Sequence, residues 1–169
     1  MKHIPARRWV ATLQVLGRQA AAGVAWLAML SSAAAQDPVE RRFNYFNDPF
    51  IQITQGISHC PVPSGPEITE AQMRAQAHYR AERGTSCYRA GRCRLPNAYL
   101  YDHDIIERVK KAVDASGQFQ HTSVWAEGQR RWVTLKGCVQ SRAQAQALQE
   151  LVRGIDDVEA VIDELQILD

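Results

Sequence analysis

Catalytic signatures are missing from this 169-residue sequence. It contains no G-x-S-x-G, no H-E-x-x-H and no phosphate-binding glycine loop. His59, His78, His103 and His121 form no recognisable constellation with serine, cysteine or aspartate. The chain therefore reads as non-catalytic and without a cofactor. C-x-x-C and C-x-x-C-H are also absent, which excludes a thioredoxin-like motif and c-type haem attachment. Neither charge is in excess: 20 basic residues stand against 18 acidic ones, a net charge of +2. That balance argues against general nucleic-acid binding, which shows a basic excess. Long hydrophobic runs are lacking too. The most apolar stretch, Ala20 to Leu30, is about half the roughly 20 residues a spanning helix needs.

That short run has a meaning of its own. Lys2, Arg7 and Arg8 precede it, and SSAAAQD follows, with Ala33 and Ala35 in an A-x-A pattern. A basic start, a short apolar core and small residues describe a secretory signal peptide over residues 1–35. The expected location is periplasmic, free or peripheral on a membrane. Setting aside Lys2, Arg7, Arg8 and Arg18 leaves 16 basic against 18 acidic residues. The remaining charge is uneven. Glu67 to Tyr101 holds six arginines and three glutamates, whereas Ile155 to Asp169 holds six acids and no bases.

Cys60, Cys87, Cys93 and Cys138 all follow the expected leader. An even number in an exported chain points to two disulfides. Zinc fits poorly. Five residues separate Cys87 from Cys93, wider than structural zinc pairs, and His59 adjoins Cys60 directly. A reactive thiol is the other reading, because neighbouring Arg83, Arg89, Arg92 and Arg94 would lower a thiol pKa. Two pairings stand: Cys87–Cys93 with Cys60–Cys138, and Cys60–Cys87 with Cys93–Cys138. In the first, Gly91 permits a tight loop around Arg89 and Arg92, and the second bridge ties the extension to the C-terminal part.

Residues 36–101 form a cysteine-containing extension. Its first part is proline-rich and dense in aromatics (Phe43, Tyr45, Phe46, Phe50), which reads as an extended segment that packs onto something. Thr69 then caps a helix expected to run to about Arg83 and to stop at Gly84. From Asp102 onward the periodicity sharpens. Asp102 or Asp104 caps a helix with Ile105, Val109, Ala112 and Val113 on one face, and Gly117 stops it. HTSVWAEGQ and RWVTLKGCV alternate around Gly128 as a hairpin, with a loop longer than a tight turn. Ser141 caps a helix striped by Leu148, Leu151, Val152 and Ile155, and Val158 to Leu168 is a third strand. The fold class is α+β, in the order αββαβ. Two helices cover one face of a small three-stranded sheet, behind an irregular and helical disulfide-tied extension.

Three stretches, DIIERVKKAV at 104–113, VTLKGCVQS at 133–141 and IDDVEAVIDELQI at 155–167, resemble the BON domain over residues 102–169. The family has a Val-Thr-Leu-x-Gly-x-Val core. Its closing pattern is V-x-G-V-x-x-V-x-x-x-L-x-V, and Asp157 stands where that pattern often has glycine. The resemblance implies an envelope protein that binds phospholipid or a membrane surface and supports envelope integrity. It implies no catalytic residues.

Strand parity turns Val124, Ala126, Val133 and Leu135 toward the helices, and Trp125 and Trp132 toward the open face. Tryptophan suits a membrane interface and arginine is drawn to anionic headgroups. The expected lipid- or partner-binding residues are Trp125, Arg130, Arg131 and Trp132, with Arg89 and Arg92 on the cysteine loop. Phe43, Phe46 and Phe50 of the extension compete for the same face by packing over both tryptophans. The alternative function is a periplasmic adaptor that uses the arginine-rich loop or the acidic last strand to bind another envelope protein.

Overall fold

The computed structural model describes residues 40–168, which pack as one unit. The leader expected over residues 1–35 lies outside the described residues. The described chain opens with β1 (Arg42–Phe43), β2 (Phe50–Gln55) and β3 (Ile68–Thr69), with β1 and β3 forming a small antiparallel ribbon. Helix α1 (Glu70–Arg89) follows. Thr69 and Gln72 build a reciprocal cap at its start: the Thr69 hydroxyl accepts from the Gln72 N–H, and the Gln72 side chain accepts from the Thr69 N–H.

This helix is polar on nearly all sides and buries only Arg80, Gly84 and Cys87, a line at i, i+4 and i+7. Such a face has too little apolar area to dock by itself. Each of the three makes a specific attachment instead. Arg80 enters a buried ion pair with Asp48. Cys87 is bonded to Cys93. Gly84 lets Asn97 come close; a Cβ there would meet the Asn97 Oδ1 at 2.5 Å. Gly84 therefore does not end the helix, which continues to Arg89.

A short 3-10 turn (Ala98–Tyr101) leads into α2 (Asp102–Ser116). Asp102 does not cap α2 through its side chain, which points elsewhere. Gly117, at φ 62°, closes the helix in the left-handed conformation. Next come β4 (Ser123–Gln129) and β5 (Trp132–Val139), paired antiparallel. Helix α3 (Arg142–Arg153), capped by the Ser141 hydroxyl, carries the chain over to β6 (Ala160–Ile167), which runs parallel to β5. A parallel pair needs such a crossover. The core lies between sheet and helices. Ile105, Ile106, Val109 and Val113 of α2 and Leu148 and Val152 of α3 meet Val124, Ala126, Val133 and Leu135 of the strands.

The sheet has four strands, in the order β2-β4-β5-β6, rather than three. The extension supplies the extra one. Ile53 of β2 is buried in the same core and Ile51 packs against it. Pairing β2 with β4 covers an edge that would otherwise be exposed. Gly137, at φ 116°, allows β4 and β5 to approach; a Cβ there would sit 2.2 Å from the Ser123 carbonyl oxygen.

On the opposite face of the sheet the extension returns as a strap. Cys60 is bonded to Cys138, the Lys136 ammonium donates to the Ser64 carbonyl, and Gly65 lies against the Phe50 ring. Trp125 sits directly across from Lys136 beside these anchors, and is only 8% exposed. The cysteines thus pair as Cys60–Cys138 and Cys87–Cys93.

Candidate functional site

The β4–β5 connection is a two-residue turn, not a long loop: Gln129 pairs with Trp132, and Arg130 and Arg131 lie between them. Both have positive φ, 57° and 67°. A tight hairpin turn of this kind is usually made by Asn-Gly or Asp-Gly. Two arginines adopt it because Asp102, at the start of α2, holds the turn in place. Its carboxylate accepts the N–H of Arg130 at 2.7 Å and that of Arg131 at 2.6 Å.

Asp102 is buried, and burial pushes its carboxyl from 3.8 up to about 6 against the opposing pull of the two N–H donors. The folded protein therefore binds this proton more tightly than the unfolded chain. The group's contribution to stability is fully present below about pH 4 and is lost as pH rises through about 6. The difference corresponds to about 3 kcal/mol. Asp102→Asn, neutral throughout, is expected to fall further below wild type at pH 4 than at pH 7 by about that amount. Urea midpoints of both proteins at the two pH values measure it. Equal deficits would show that Asp102 does not titrate in this range.

The turn divides its side chains. Arg130 lies over the Trp132 ring, 4.6 Å from its centroid, and Trp132 is 37% exposed. Arg131 folds the other way. Its Nε donates to the Asp157 carbonyl at 2.8 Å, its Nη1 reaches the Cys93 sulfur at 3.0 Å, and its guanidinium lies over Tyr101. Arg94 also lies over Tyr101 and pairs with the Asp157 carboxylate. The Tyr101 hydroxyl accepts the Leu95 N–H. These contacts bring the cysteine loop and the hairpin turn to one end of the molecule. Exposed there are Trp132, Leu95 and, on the 3-10 turn, Leu100, which is 60% exposed. Arg89 and Arg92 are exposed on the cysteine loop.

Asp157 stands at φ 69°, a conformation glycine adopts freely, so the residue substituted for the family's glycine keeps a glycine-like backbone. Its side chain is put to use, since Arg94 and Arg108 both pair with it. The model of the BON domain family matches residues 101–169. The C-terminal part of the chain is a BON domain. No curated protein matches the chain. BON domains are typical of periplasmic or envelope proteins, are linked to membrane and phospholipid binding, and are generally non-catalytic. No helix among the described residues is long and apolar enough to cross a membrane.

The BON hairpin changes the list of candidate residues. Trp125 and Trp132 share the open face but not its exposure. Trp125 is buried between β2 and β5, across from Gln52 and from the Lys136 that holds the strap, so that residue does not face solvent. Of the three phenylalanines expected to cover the tryptophans, Phe50 lies on that face, across from Glu127. Phe46 stacks on Arg80, and Phe43 packs edge-on against Tyr45. Arg131 is engaged by Asp157 and Cys93. In the arginine cluster, Arg83 rests on Tyr79 and Arg94 pairs with Asp157. Leu95 and Leu100 escaped the sequence reading; the only signal was two leucines in the polar stretch RLPNAYLYD.

Proposed function

We propose that this protein is a non-catalytic, exported envelope protein that binds anionic phospholipid surfaces through the hairpin end of its BON domain. The observation that carries the reading is Trp132, exposed at the hairpin turn with Arg130 stacked on it. An amphipathic ring beside a cation suits the boundary between headgroups and acyl chains. Leu95 and Leu100 supply further apolar contact, and Arg89 and Arg92 further attraction to headgroups. The expected leader at residues 1–35 and the two disulfides agree with an oxidising compartment. In this reading residues 36–101 are an accessory extension to a BON domain that starts near Asp102.

Flotation with vesicles tests it. The oxidised protein is expected to float with phosphatidylglycerol vesicles and not with purely neutral ones, and to be released by high salt. Trp132→Ala with Arg130→Ala removes about 1 kcal/mol of headgroup attraction and a similar apolar term. The pair should weaken binding roughly 30-fold. Trp125→Ala is no substitute, because that ring is covered. Absence of flotation with any vesicle would turn the reading toward the adaptor.

A further inference from the structure

The two sulfurs of the Cys87–Cys93 bond lie in opposite environments. Cys87 is 6% exposed and sits in the last turn of α1, where the helix carbonyls disfavour negative charge. Cys93 is half-buried and has the Arg131 Nη1 at 3.0 Å from its sulfur. That guanidinium is fixed by the Asp157 carbonyl and by the Tyr101 ring, so it does not have to be recruited. The surrounding charges are Arg94, next in sequence, and the Asp157 carboxylate, which Arg94 and Arg108 neutralise. Burial at a helix C-terminus raises a thiol pKa, and an adjacent arginine lowers one.

We propose that Cys87–Cys93 is a thiol–disulfide exchange site, with Cys93 as the reacting sulfur and Arg131 stabilising its thiolate. The substrate class is a vicinal dithiol, on a protein or a small molecule. The first thiolate of the donor attacks the Cys93 sulfur. A mixed disulfide forms, the Cys87–Cys93 bond breaks, and Cys87 leaves as a thiolate that takes up a proton. The second donor thiolate then attacks the donor sulfur of the mixed disulfide. The Cys93 thiolate departs beside Arg131, the donor becomes a disulfide, and the protein holds the two electrons. Cys60–Cys138 is unsuited to this role, because its partly buried sulfur, Cys60, lies near the Pro61 and Ser123 carbonyl oxygens, at 3.7 and 3.5 Å, which disfavour a thiolate. This proposal stands apart from lipid binding.

Limited dithiothreitol, itself a dithiol, is the probe, with peptide mass mapping after iodoacetamide alkylation. Cys87–Cys93 is expected to open while Cys60–Cys138 stays closed. In the opened protein, Cys93 should alkylate at least 10-fold faster than Cys87 at pH 7. Its rate should reach half-maximum at least one pH unit below the ordinary thiol value of about 8.5. Arg131→Gln should remove the difference between the two cysteines and make the bond about 10-fold harder to reduce in a glutathione mixture. Both disulfides opening together, or Cys87 and Cys93 alkylating alike in wild type, would overturn the proposal. That wild-type comparison decides the matter even if Arg131→Gln does not fold.

Discussion

Replacing Cys60 and Cys138 together by alanine is expected to cost about 4 kcal/mol, because the bond closes a long loop. The two residues are 78 apart in sequence. Chain entropy released in the unfolded state grows with that separation, so the bond between Cys87 and Cys93, only 6 apart, contributes about 2 kcal/mol. A domain of this size has about 5–15 kcal/mol in total. Loss of the longer bridge therefore removes a large share. It also removes the covalent tie between the strap and β5, leaving the Lys136–Ser64 hydrogen bond and the Gly65–Phe50 contact as anchors beside Trp125. Two readouts are expected to move together: the urea midpoint falls, and Trp125 emission shifts to the red as the ring meets water. A loss under about 1 kcal/mol with unchanged emission would mean that the strap holds itself and the bridge is incidental.

The BON helices were legible because their apolar spacing is regular. Ile105, Val109 and Val113 recur at helical intervals and are buried in α2; Leu148 and Val152 are buried in α3. Gly117 and Ser141 mark helix ends through local chemistry, a left-handed cap and a hydroxyl acceptor. What escaped the sequence depends on residues far apart in the chain. The Arg130–Arg131 turn carries no glycine, and its stabilising carboxylate, Asp102, lies 28 residues earlier. Strand β2 has Ile51 and Ile53 in alternation, but it sits in a proline-rich stretch and joins β4 about 70 residues later. Parity placed both tryptophans on one face and could not say which half the strap would cover. That is decided by Cys60 reaching Cys138 and Ser64 reaching Lys136. Gly84 resembled a helix stop, yet its role is to admit Asn97.

Breaking the Arg80–Asp48 pair by removing one partner is expected to destabilise the protein by about 3–5 kcal/mol. Both side chains are nearly inaccessible, at 9% and 6% exposure. The Arg80 guanidinium donates to both Asp48 oxygens and lies between the Phe46 and Tyr99 rings, 4.1 Å from each centroid. Asp48 in turn accepts from the Gln129 amide at the end of β4. One cation thus joins α1, the loop before β2, the segment before α2 and the BON sheet, through a helix that has almost no apolar face. Asp48→Ala leaves that cation buried without a counter-charge, which is the source of the large effect. Arg80→Lys keeps the charge but loses the forked hydrogen bonds and the double stacking, so it should recover little. Asp48→Leu with Arg80→Leu removes both charges and should cost much less than either single change. Urea unfolding of the four proteins, together with amide hydrogen exchange along α1, measures the pattern. If Asp48→Ala costs less than about 1 kcal/mol and α1 exchanges no faster, Arg80 swings to solvent without loss and the helix is held by Cys87 and Gly84 instead.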